Sequence, residues 1–156
     1  MNKTYDFLEY LKEALDKLYY KDQHLIHYGD GYHVSERSVT HKLGAYLGAL
    51  IKDYDVDCEY NRAGDDIKQI KLNQNIVPDI IVHRRGVDED NFVAIEVKSW
   101  WNRNTSKDED KLESLSKPNS KLKYHCGISL LLGKRRNEIL LKLFVDGKKV
   151  EEIYPF

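Results

Sequence analysis

Apolar residues recur at helical spacing from the start of the chain. Phe7, Leu8, Leu11, Leu15 and Leu18 mark one stripe, which predicts an amphipathic helix over residues 3 to 20. The next stretch, KDQHLIHYGDGYHV, carries two glycines and three histidines and reads as a loop. A second helix is predicted from about Glu36 to Ile51, with Ser35 as N-cap and Val39, Leu43, Leu47 and Leu50 as its apolar stripe. Gly44 and Gly48, four apart, would let that helix approach a neighbour closely. The period then changes from helical to alternating. VDCEYNR (56–62) alternates and a polar segment runs from Ala63 to Asn75; VPDIIVHRR (77–85) and NFVAIEVKSW (91–100) follow, separated by GVDED as a turn. These three strands read as a meander. Residues 106–117, with Leu112 and Leu115 three apart and Pro118 beyond them, predict a short helix. YHCGISLLLG (124–133) reads as a buried strand, and Asp146-Gly147 between EILLKLFV and KKVEEIY is a two-residue hairpin signal. The order α, α, β, β, β, α, β, β, β predicts an α/β fold, a mixed central sheet flanked by helices. The length of 156 residues suits a single domain over 1–156, with no repeat or linker in it.

Composition changes this picture mainly by exclusion. At 41% hydrophobic and 33% charged residues the chain is ordinary for a globular protein, and no apolar run approaches the roughly 20 residues of a membrane helix. The opening MNKTYDFLEYLKEALDKLYY lacks the apolar core and cleavage site of a signal peptide. Cys58 and Cys126 are far apart and form no CxxC, which suits reduced, packed thiols. The expectation is a cytoplasmic protein without membrane contact. A net charge of −1 supplies no whole-protein field for nucleic acid, so such binding would come from local patches: HRR at 83–85, KSWWNRN at 98–104, KLK at 121–123 and KRR at 134–136.

Asp79, Glu96 and Lys98 lie inside the two most hydrophobic runs, where charged side chains are seldom buried without a partner or a metal. Alternation puts Phe92, Ala94, Glu96, Lys98 and Trp100 on one face and Val93, Ile95, Val97 and Ser99 on the other. Folding back the preceding strand brings Asp79 opposite either Glu96 or Lys98, according to register. At about 100° per residue Glu36 shares the side of its helix that carries Leu43, Leu47 and Leu50. Three acids and a lysine thus converge from one helix and two strands. Mg²⁺ commonly takes one or two protein carboxylates and keeps positions for water and a substrate phosphate. A lysine on the same strand face can orient the attacking water or stabilise charge growing on a phosphoryl group. Phosphodiester hydrolysis is the chemistry this set suits, and a structural ion-pair cluster is the competing reading.

The layout of Glu36 in the first core helix, Pro78-Asp79 at a strand start and Glu96-Val97-Lys98 at the end of the next strand resembles the PD-(D/E)XK phosphodiesterase superfamily, the restriction-endonuclease-like nucleases. It extends over roughly residues 35–145. The resemblance implies an αβββαβ core, with an extra N-terminal helix and a C-terminal hairpin strand. It implies Asp79 and Glu96, with Glu36 beside them, as ligands of Mg²⁺ or Mn²⁺, Lys98 as the catalytic lysine, and DNA as substrate. Members without catalysis bind nucleic acid or protein, so an inactive nuclease-fold module is the alternative. Cutting both strands would imply a homodimer, and the near-neutral charge leaves room for a partner subunit that supplies DNA affinity. Secondary candidates for nucleic-acid contact are Arg62, on the face of Val56, Cys58 and Tyr60; Trp100, which could stack a base or simply pack; and the basic turn Lys134, Arg135 and Arg136. His24, His27 and His33 have neither a cysteine nor HxxxH spacing to make a zinc site.

Overall fold

The computed structural model describes residues 3–27, 32–63, 66–67, 69–71 and 74–156, with side chains outside 62–75 and 88–89. In chain order the elements are α1 (Lys3–Lys21), α2 (Gln23–Ile26), α3 (Glu36–Leu50) and β1 (Asp55–Cys58). Two short pairs follow, β2 (Arg62–Ala63) with β3 (Asp66–Ile67) and β4 (Gln69–Lys71) with β5 (Gln74–Asn75). Then come β6 (Ile80–Arg84), β7 (Val87–Lys98), α4 (Ser106–Leu115), β8 (Cys126–Leu131), a 3-10 turn (Arg136–Glu138), β9 (Leu140–Val145) and β10 (Lys148–Ile153). Six strands form one open sheet in the order β1-β6-β7-β8-β9-β10. Only the β7–β8 pair is parallel, so the sheet is mixed and the fold α/β.

The stripe of α1 is buried throughout, and α3 begins where the Ser35 hydroxyl accepts from the Ser38 N–H at 3.3 Å. Both helices cover the sheet face made by Val93, Ile95, Val97, Ile128, Leu130 and Leu141. Burial of each such leucine contributes about 1.5–3 kcal/mol relative to exposure. Gly44 lets α3 settle on β1, since a Cβ there would lie 2.5 Å from Cys58 Sγ. The opposite face carries α4, the crossover that a parallel pair requires, with Leu112 and Leu115 against Ile81, Ala94 and Phe144. At Gly127 a Cβ would come 3.0 Å from Leu112 Cβ, so this glycine sets how closely α4 lies over β8.

Several boundaries depart from the pattern read along the chain. The loop predicted after α1 contains α2. β1 ends at Cys58, before Glu59 at a positive φ of 52°, and the polar stretch after it includes the two short strand pairs. GVDED is no turn: the reversal is made by Arg85-Gly86 alone, with Gly86 at φ 77°, and β7 already begins at Val87. Register shifts between Val82 and His83 leave Phe92 as the extra residue of β7, and it joins the α1 side edge-on to Phe7 at 5.8 Å. Trp100 also leaves the predicted face, because β7 stops at Lys98 and the chain turns, packing Trp100 and Trp101 against the α1–α3 core. The Asp146-Gly147 hairpin forms as expected, at φ 52° and 74°. Both cysteines are free, and no described helix is long and apolar enough to cross a membrane.

A polar cluster ties the far end of β6 to β1. His83, 3% exposed, sits 2.9 Å from Asp57 Oδ2, and Arg85 donates to both Asp57 oxygens at 2.8 and 2.6 Å. The Arg85 hydrogen bonds hold Asp57 below its ordinary 3.8 against the effect of burial, with His83 adding to them. A carboxylate depressed in the fold contributes stability above pH 3.8 that is lost as the pH falls below it. Asp57→Ala is expected to cost about 2 kcal/mol at neutral pH, by removing the carboxylate that His83 and Arg85 share. It should also flatten the acid limb of a denaturation-versus-pH profile; an unchanged limb would remove Asp57 from the acid response.

Candidate active site

The β6–β7 register, Ile80 opposite Ile95, continues to set Asp79 opposite Glu96, which selects one of the two registers open to the sequence. Asp79 is fixed by its neighbour strand: its Oδ2 accepts from the Val97 N–H at 2.7 Å. Glu96 is 3% exposed. Two residues on, Lys98 Nζ lies 3.3 Å from Glu36 Oε1 and 3.2 Å from Asp108 Oδ2. The other oxygen of Glu36 accepts from the Ser99 N–H at 2.8 Å. Since α3 covers the opposite sheet face, Glu36 reaches Lys98 around the C-terminal end of β7. Burial pulls the Lys98 pKa down, but the charges of Asp108 and Glu36 outweigh it and leave it above its ordinary 10.5. Lys98 therefore stays an ammonium at neutral pH, able to donate hydrogen bonds and offset negative charge but not to accept a proton.

Asp108 and Lys111, both on α4, complete the cluster and were not singled out in the sequence. Lys111 Nζ donates to Glu96 Oε1 at 2.6 Å and lies 3.9 Å from Asp108 Oδ1. A chain of opposite charges thus runs Glu36, Lys98, Asp108, Lys111, Glu96, with Asp79 beside its last member. The signal was available: Asp108 and Lys111 stand one helical turn before Leu112 and Leu115, so all four share the inward side of α4.

The donor set can be tested against a hard divalent cation. Burial raises Asp79 above its ordinary value, against the pull of the Val97 N–H, and pushes Glu96 up to about 8, with the Asp79 charge adding and Lys111 opposing. Two adjoining carboxylates are therefore costly to hold ionised, and a single ammonium does not offset that cost. Each has one oxygen in a hydrogen bond, Asp79 Oδ2 with Val97 and Glu96 Oε1 with Lys111. This pair fits Mg²⁺ or Mn²⁺, which commonly take one or two protein carboxylates. Glu36, expected as a third ligand, is instead engaged by Lys98 and Ser99. Among the described residues no group of three or more His, Cys, Asp and Glu side chains is arranged to hold a metal ion.

The secondary candidates separate. The Trp100 indole N–H donates to the Ile26 carbonyl at 2.9 Å, and Lys134 Nζ stands 4.4 Å from the centre of its ring. Arg135 is taken up by Glu138, and Arg136 by Asp16 and the Phe156 carbonyl, so of the basic turn only Lys134 has no ion pair among the described residues. Arg62 opens β2, but its side chain lies outside the described residues. Comparison of the chain with protein-family models, with curated proteins and with solved structures finds no match.

Proposed function

We propose that the chain is a metal-dependent nuclease of the PD-(D/E)XK type, hydrolysing phosphodiester bonds in DNA with Mg²⁺ or Mn²⁺. The observation that carries the reading is the β6–β7 register: it makes neighbours of Asp79 and Glu96 and leaves Lys98 charged at the strand end. The order α3, β1, β6, β7, α4, β8 supports an αβββαβ core of the restriction-endonuclease-like kind, with α1 added before it and the β9–β10 hairpin after it. Asp79 and Glu96 would hold the cation, which when bound lowers the pKa of water and offsets phosphate charge. Val97 keeps Asp79 oriented through its N–H. Glu36 and Asp108 position the Lys98 ammonium, which lies where it can stabilise the negative charge of the transition state. Lys98 is protonated, and among the described residues no histidine is placed beside these side chains.

The ion-pair chain favours a second reading, a catalytically silent module in which Lys111 permanently neutralises Glu96. Supercoiled plasmid incubated with the protein in Mn²⁺, with EDTA as the paired control, tells the two apart. Nicking or linearisation lost in EDTA is expected. Intact plasmid, together with a melting temperature that ignores millimolar Mg²⁺, would favour the silent module.

A further inference from the structure

The face that carries Glu96 continues across the sheet as one cross-strand row. Glu96 pairs with Ser129, Ser129 with Lys142 and Lys142 with Glu152, so the row crosses four strands, a span of roughly 14 Å at three inter-strand steps. A hollow of about 190 Å³ lies over Ser129 and Lys142. Beside it is a cavity of about 550 Å³ lined by Trp100, Lys134 and Tyr154, and Arg103 and Leu140 line both. The two adjoining hollows form a trough that begins over Ser129, the cross-strand neighbour of Glu96, and ends in an aromatic and basic cavity beside the end of β7.

We propose that this trough binds an unpaired strand of DNA, with a nucleobase stacked on Trp100 and the adjacent phosphates held by Arg103 and Lys134. The inference rests on the nuclease reading for the location of the scissile group and deepens it by naming the substrate class. Charge complementarity carries it. Glu138 and Glu152 also line the cavity, but their charges are answered by Arg135 and Lys149, whereas Arg103 and Lys134 have no ion pair among the described residues. The Trp100 ring is anchored by Ile26, and the long Lys134 side chain over it is free to exchange a ring for a phosphate. A base can stack in such a cavity only when it has left its partner strand, and every base offers a face for stacking. Exposed Tyr154, at the rim, gives a second ring for the neighbouring base.

Fluorescence anisotropy of a labelled single-stranded oligodeoxynucleotide and of its blunt duplex, in EDTA so that nothing is cut, tests this. The single strand should bind about tenfold more tightly than the duplex, and Trp100→Leu and Arg103→Ala should each weaken it about fivefold or more. Arg103→Ala should also reduce the slope of log affinity against log salt by about 0.7, one phosphate contact. Lys52→Ala, in an exposed loop near Arg84 and Phe92 and lining neither hollow, should change nothing. Trp100 packs on the core, so if Trp100→Leu melts early the exposed Arg103 variant decides alone. Duplex binding as tight as single-strand binding, or single-strand binding unmoved by Arg103→Ala, overturns the proposal. The plasmid assay is separate: cleavage without single-strand preference removes the trough and keeps the nuclease, whereas single-strand binding lost in the variants, without cleavage, keeps the trough and removes the nuclease.

Discussion

Lys98→Ala should lower metal-dependent plasmid cleavage by about 10²–10³-fold, the usual cost of removing one preorganised donor from a phosphoryl or acyl transition state. The size follows from how firmly the ammonium is held. Two carboxylates at 3.3 and 3.2 Å fix its position and keep it charged, so little reorganisation is needed when phosphate charge grows beside it. Removal leaves Glu36 and Asp108 facing each other without their shared cation, and some stability should be lost with it. The useful comparison is therefore between the variant's cleavage and its Mg²⁺-dependent melting shift. Loss of cleavage with the shift retained separates catalysis from metal binding. Unchanged cleavage would take Lys98 out of the chemistry.

The largest effect on stability should come from Lys111→Met. Glu96 is almost wholly buried, and Lys111 supplies its closest ion pair at 2.6 Å. Breaking a buried pair by removing one partner leaves an uncompensated charge, and because Lys111 is itself a quarter exposed the loss should be at most about 3 kcal/mol, the lower end of the usual range. Proton uptake by Glu96 limits the loss further, since burial already favours its neutral form. In EDTA the variant should melt well below the parent, and a divalent cation should recover most of the difference, about 2.7 kcal/mol at a hundred times its dissociation constant. A melting deficit that Mg²⁺ and Mn²⁺ leave untouched would show that the two carboxylates are not the ligands proposed for them.

What the sequence made legible follows from how local each signal is. The stripes of α1 and α3, the Ser35 cap and the Asp146-Gly147 hairpin depend on residues within one or two turns, and all appear where the pattern placed them. The convergence of Asp79, Glu96, Lys98 and Glu36 was also readable, because alternation and helical spacing fix faces. Register was not: Asp79 could have met Lys98, and only the tight Arg85-Gly86 reversal with its bulges decides for Glu96. The same bulges turned Phe92 to the other side, a shift that strict alternation cannot anticipate. Asp108 and Lys111 carry no distinct signal because α4 is mostly polar, so its two inward charges look like the solvated ones around them. Their burial depends on Gly127, a strand residue that sets the helix-to-sheet distance and carries no helical signal of its own.

The parallel pairing of β7 with β8 also sets an order of events during synthesis. The β6–β7 hairpin is contiguous and closes through a two-residue turn, so Asp79 and Glu96 can meet once the chain has been made as far as Lys98. Lys111 cannot reach Glu96 until α4 has been made, and α4 has no complete surface to dock on until β8, beginning at Cys126, has been added. For those residues of elongation the acidic pair exists without its ammonium.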